Sequence, residues 1–78
     1  MPTIKGIAGP YRFFFYSSDC DEPPHVHVER ERAKAKIWLE SLIVMPSRVF
    51  SKRDLNRIRM IIFEHRMKIL EAWHGHCG

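Results

Sequence analysis

The chain has no uncharged apolar run longer than Leu42–Pro46, whereas a membrane-spanning helix needs about 20 such residues. No apolar signal region follows the M-P-T-I-K start, so no export leader is expected. Its two cysteines, Cys20 and Cys77, are too few for a disulfide scaffold. They lie near opposite ends of the chain, a bridge between them cannot be read from sequence, and a reduced, cytoplasmic setting is the default expectation. Internal repeats, low-complexity stretches, a phosphate-cradling glycine loop, a nucleophile elbow and a metalloprotease motif are all missing, and no cofactor is called for. Length is scarce too. With 78 residues, a chain buries only about 60% of the surface its unfolded form exposes. That excludes a two-domain enzyme, a dinucleotide-binding sheet or a barrel, and leaves one domain over residues 1–78.

What is present is ordinary globular composition, 45% hydrophobic and 28% charged, which excludes disorder. Thirteen Lys and Arg against nine Asp and Glu give a net charge of +4. That balance permits an acidic partner such as nucleic acid without demanding one.

The first two-thirds of the chain read as short strands. Thr3–Ile7 alternates, Ala8–Pro10 is a turn, and Tyr11–Ser17 (Y-R-F-F-F-Y-S) is an aromatic-rich strand. Ser18–Pro24 is a loop, since its prolines cannot join a ladder. His25–Arg30 and Ala33–Glu40 are two further strands about a charged turn at Glu31–Arg32, and Leu42–Met45 is a brief edge strand. Ser51 then reads as a helix N-cap, with Asp54 three residues on and Leu55, Ile58, Ile62, Ile69 and Trp73 at helical spacing. One helix over Lys52–His74, closed by Gly75 and Gly78, would span roughly 35 Å. The expected fold is α+β: a small antiparallel sheet of three to five strands with one long C-terminal helix on one face.

Alternation along the strands turns Phe13, Phe15, Val26, Val28, Ala35 and Ile37 toward the helix. The opposite, open face then carries Arg12, Phe14, Tyr16, His25, His27, Lys34, Lys36 and Trp38. Cations interleaved with aromatics suit RNA, where phosphates want charge and bases stack on rings. The same aromatics equally suit a protein interface, a homodimer included, and lysines on a strand can serve solubility alone.

The H-V-H pair at His25 and His27 sets two imidazoles about 6.5–7 Å apart along one side of a strand. One as acid and one as base could cleave a phosphodiester near neutral pH, or both could grip phosphate. Zinc is the weaker expectation, because no third ligand stands at a recognisable spacing; Glu22, His65, His74, His76 and Cys77 are only candidates. The H-G-H-C-G end is a second metal-like group, but a chain end is expected to fray. His65 and Trp73 fall on the apolar helix stripe and read as core or boundary residues. Neither Ser17 nor Ser18 is marked as activated, and Cys20 sits between aspartates, the wrong field for a reactive thiol.

The stretches G-P-Y-R-F-F-F-Y-S, E-P-P-H-V-H-V, A-K-I-W-L and E-H-R…L-E-A-W-H together resemble the small bacterial domain-of-unknown-function family 4160 over nearly the whole chain. The resemblance implies a partner from the domain-of-unknown-function family 2442, in a two-gene layout similar to a toxin–antitoxin pair with this chain on the toxin side. By position, the residues it marks are Arg12, Phe14, Tyr16, Glu22, Pro23, Pro24, His25, His27, Lys36, His65 and Trp73. Cys20 and the H-G-H-C-G end depart from the common pattern. The resemblance supplies a context and no reaction.

Two functions are therefore expected in competition. In one, a cytoplasmic toxin acts on RNA, with His25, His27 and Glu22 as catalytic groups and Arg12, Phe14, Tyr16, Lys34, Lys36 and Trp38 as the binding face. In the other, a non-catalytic protein-interaction or small metal-binding module uses the same face. Glu22, held stiff by Pro23 and Pro24, is expected beside one imidazole, raising its pKa.

Overall fold

A computed structural model describes residues 3–4, 6–7, 9–45 and 50–77. Its sheet has three antiparallel strands in sequential order: β1 (Arg12–Phe14), β2 (His25–Arg30) and β3 (Ala33–Trp38). Two helices follow, α1 (Lys52–Glu64) and α2 (Arg66–Cys77). The α+β arrangement is the one the sequence pattern predicts.

β1 is shorter than the aromatic run that signals it. The chain leaves the sheet after Phe14 and enters a 3₁₀ turn over Ser17–Asp21. Asp19 closes that turn, its carboxylate accepting the Tyr16 N–H at 2.7 Å while its own N–H donates to the Tyr16 carbonyl at 3.1 Å. The β2–β3 hairpin turns at Glu31–Arg32 as expected, with Glu31 at a φ of 55°, a left-handed conformation that a non-glycine residue adopts at some cost. Beyond β3, Val44 bridges Ile37, and the Trp38 and Met45 N–H groups donate to the Ile43 and Lys36 carbonyls. The anticipated edge strand is thus a single bridge. On the far side, Thr3 bridges Phe14. Ala8 of the expected first turn, Pro46 and Gly78 lie outside the described residues.

Ser51 caps α1 by accepting the Asp54 N–H at 3.1 Å, as a serine before a helix does. The expected single helix is interrupted at His65, whose φ and ψ are −106° and 18°. Backbone bonding passes through the junction, from the His65 N–H to the Ile61 carbonyl and from the Ile69 N–H to the His65 carbonyl. A straight helix of roughly 35 Å would exceed the molecule's longest dimension, 33 Å. The break lets Ile58 and Ile62 from α1 and Ile69 and Trp73 from α2 enter one core with Phe13, Phe15, Val26, Val28 and Ile37. His65 itself is half-buried at the bend.

The C-terminal end does not fray. Cys77 is joined to Cys20 by a disulfide, across 57 positions, which corrects the expectation of two reduced cysteines. Two residues that sequence separates are brought together because α2 packs against the 3₁₀ turn. Gly75 lies within α2 and does not end it.

By the chain-entropy relation, a bridge closing a loop of this length is worth about 4 kcal/mol. The variant Cys77→Ser should lose most of that, read as a lower urea midpoint under non-reducing conditions, and reductant should bring the wild type down to the same value. Equal midpoints for all three samples would mean the thiols are not joined in solution.

Candidate functional site

The register puts Phe14 opposite His27 and Arg12 opposite Glu29, then His25 opposite Trp38, His27 opposite Lys36 and Glu29 opposite Lys34. The residues assigned to the second face by alternation do share it. That face is not open, however. Phe14 is 1% exposed and His25 is 0% exposed, so neither faces solvent as expected. Phe14 is sealed by the Tyr16 ring set edge-on at 5.2 Å, the His27 ring stacked at 5.5 Å and the Arg12 guanidinium at 5.0 Å. His25 is enclosed by the rings of Trp38 at 5.3 Å, Trp73 at 5.2 Å and His27 at 5.1 Å. Alternation along a strand tells which face a side chain takes; it cannot tell that the Ser17–Asp21 turn folds over that face.

The cations of the face are also answered from within. Arg12 is ion-paired with Glu29, Lys34 approaches the same carboxylate at 3.9 Å, and Lys36 Nζ lies 2.6 Å from Glu22 Oε1. Lys36 also stands 4.5 Å above the Trp38 ring. Glu22 is therefore the partner of a lysine and not of an imidazole, and its carboxyl is held below the usual value chiefly by the Lys36 hydrogen bond.

The carboxylate at the histidines is Asp19. Its Oδ1 lies 3.2 Å from His25 Nε2 and its Oδ2 lies 3.0 Å from His27 Nε2. Asp19 is 5% exposed. Burial alone would raise its carboxyl, but the Tyr16 N–H and the two imidazoles outweigh burial and hold it below the ordinary range. Burial lowers the His27 pKa; the Asp19 carboxylate opposes that shift, and the charges of His25 and Lys36 add to it. The expected rise at an imidazole is thus reversed for His27. His25 Nδ1 is 2.9 Å from the Pro23 carbonyl, so the stiff proline turn does orient this ring, through backbone and not through Glu22. Nothing singled Asp19 out among the three carboxylates that precede the prolines, since only the 3₁₀ turn aims it inward.

Among the described residues, two groups of three bring metal-type ligand atoms within 4.8 Å of one another: Asp19 with His25 and His27, and Cys20 with His76 and Cys77. In the second group the sulfurs are bonded to each other. His76 there stacks on Phe15 and sets Nε2 3.1 Å from the Tyr16 carbonyl. His74 is exposed. Among the described residues, no helix is long and apolar enough to cross a membrane.

A second feature escaped the strand-by-strand reading. Met60, Phe63 and Met67 are 64%, 65% and 75% exposed, at the 3- and 4-residue spacing that shares one helix face. Leu42, Arg59, Met60, Phe63 and Glu64 line a hollow of about 250 Å³, and Ile43 beside it is also exposed.

The family model described as "Domain of unknown function (DUF4160)" matches residues 10–74. The chain belongs to this DUF4160 family. No curated protein and no solved structure matches it. The match takes in the whole sheet, the 3₁₀ turn, α1 and most of α2, and so every residue of the Asp19 cluster. It leaves out Cys77, and with it one half of the disulfide.

Replacing the lysine tests the corrected role of Glu22. In Lys36→Met the Glu22 midpoint should return upward toward its ordinary value, followed by carboxyl NMR titration. Because the folded pKa of Glu22 is depressed, its stabilising contribution is present above the unfolded value and fades as pH falls through the folded one. The variant should therefore lose part of the acid limb of the stability profile. An unmoved Glu22 midpoint would refute the pairing.

Proposed function

We propose that this protein is the toxin-side member of a two-protein module of toxin–antitoxin type, and that it docks its partner through the outer face of α1 and α2. The observation that carries the reading is the exposed Met60–Phe63–Met67 face, continued by Leu42 and Ile43. Large exposed apolar clusters rimmed by charge mark partner surfaces, and methionine suits a surface that must adapt to another chain. The overall charge of the two helices supports the kind of partner. α1 and α2 carry Lys52, Arg53, Arg57, Arg59, Arg66 and Lys68 against Asp54, Glu64 and Glu71. A partner that presents an apolar strip edged with acidic residues matches it, as complementary potentials favour encounter and register. The partner implied by the family resemblance is the antitoxin-like neighbour, and the working setting of such a pair is the bacterial cytoplasm, where the Cys20–Cys77 bridge would stand under reducing pressure.

Direct RNA work by the sheet face has less behind it. Phe14 and His25 are closed off, Arg12 and Lys36 are paired, and stacking is left to the half-buried Tyr16 and Trp38. A strand-binding groove needs a track of free cations with several rings.

Co-expression tests the reading. The chain alone should arrest growth, and the neighbouring gene product should relieve the arrest. In Met60→Glu with Phe63→Glu, both exposed positions, relief should fail and affinity should drop at least about tenfold, equal to about 1.4 kcal/mol. No arrest by the wild type would sink the toxin role; undiminished binding by the double variant would sink the docking face.

A further inference from the structure

His25 offers its Nδ1 to the Pro23 carbonyl at 2.9 Å. A carbonyl can only accept, so Nδ1 carries a proton, and the neutral ring then has its lone pair at Nε2. That Nε2 is buried and lacks a hydrogen-bond partner, although an Asp19 oxygen is 3.2 Å away. His27 Nε2 is in the same condition, buried and unpartnered with the other Asp19 oxygen at 3.0 Å. In both cases the oxygen is near enough, but it stands off the direction in which the ring would donate. Two buried nitrogens and a buried carboxylate therefore converge on one place without bonding to each other. Buried polar atoms left this way are uncommon and ask for a missing occupant.

We propose that Asp19, His25 and His27 form a binding site for one divalent zinc-class ion. With ligand bonds of about 2.0–2.1 Å, neighbouring ligand atoms in a tetrahedral zinc site stand about 3.3 Å apart; here each ring nitrogen has its own Asp19 oxygen at 3.2 or 3.0 Å, and one ligand atom from each of the three residues falls within 4.8 Å of the others. An ion shared by both rings also places each oxygen off the ring's lone-pair axis, which is the disposition that spoils the hydrogen bonds. Two imidazoles and one carboxylate are a borderline donor set suited to zinc and its first-row neighbours, and three protein ligands leave a position for water or a small anion.

The outer contacts fit. Ligating histidines usually donate their other ring N–H to a carbonyl or carboxylate, and ligating carboxylates are themselves hydrogen-bonded. Here the Pro23 carbonyl serves His25, and the Tyr16 N–H serves Asp19 at 2.7 Å. The rings of Phe14, Tyr16, Trp38 and Trp73 around the two histidines form an apolar shell. His27, whose side chain is 17% exposed, is the open side through which an ion enters. The third ligand was hidden from a spacing rule because it comes from the 3₁₀ turn, six positions before His25. The site stands apart from the docking face and does not depend on the toxin reading.

The test uses the full chain without a histidine tag, stripped with chelator under non-reducing conditions and titrated with Zn²⁺ or Co²⁺. One ion should bind per chain, and Zn²⁺ should raise the melting temperature of the wild type, with chelator reversing the rise. Asp19→Asn and His27→Gln should each weaken binding by at least the roughly 100-fold that loss of an outer contact can cost, with circular dichroism confirming that they fold. Bound Co²⁺ should show visible bands without a thiolate charge-transfer band. A thiolate band would assign the metal to Cys20, His76 and Cys77 and overturn the proposal. So would binding unchanged in both variants. Failure of the wild type to bind either ion, with NMR showing both Nε2 atoms protonated at neutral pH, would make the proton the occupant and end it.

Discussion

A buried carboxylate is the constraint around which this small protein is arranged. Asp19 is almost wholly removed from water, and an ionised carboxyl in that position needs donors or positive charge to survive desolvation. It has one backbone donor from Tyr16 and two imidazoles at 3.0 and 3.2 Å. The turn that holds it, the prolines that orient His25 and the rings that close over the face bring that group and two imidazole nitrogens to one place. The Tyr16 N–H donates to the carboxylate, while the two imidazole nitrogens beside it make no hydrogen bond to it, so the three residues share one buried charge.

The same constraint decides what the sheet can show to a partner. An alternating strand pair normally leaves one face wet. Here the 3₁₀ turn and Tyr16 cover part of that face, and its cations pair with Glu22 and Glu29. Exposed apolar side chains stand instead on the helices, where Met60, Phe63 and Met67 are largely exposed.

Two devices hold so short a chain around one core. The interruption at His65 divides the helical stretch, and residues of both helices enter one core over the sheet. The disulfide then ties the end of α2 to the turn carrying Asp19. In a domain too small to gain much from burial alone, a long-range crosslink matters more than it would in a larger one. Arg59 and Arg66 add contacts of their own, donating to the Leu42 and Glu40 carbonyls and so pinning both helices to the segment after β3.

The strands, the hairpin turn, the Ser51 cap and the helix stripe were legible in the sequence because each depends on residues a few positions apart, through a period of two or of 3.6. Alternation likewise gave the correct face for Arg12, Phe14, His27, Lys34, Lys36 and Trp38. What no local period carries is cover. Whether Phe14 and His25 meet water depends on where the Ser17–Asp21 turn lands. Whether Asp19 or Glu22 reaches the imidazoles depends on the conformation of that turn, and whether Cys20 meets Cys77 depends on where the end of α2 packs. Each joins segments whose separation in sequence says nothing of their distance in space. Only the packed chain, which must answer every buried charge and close its core within about 78 residues, decided them.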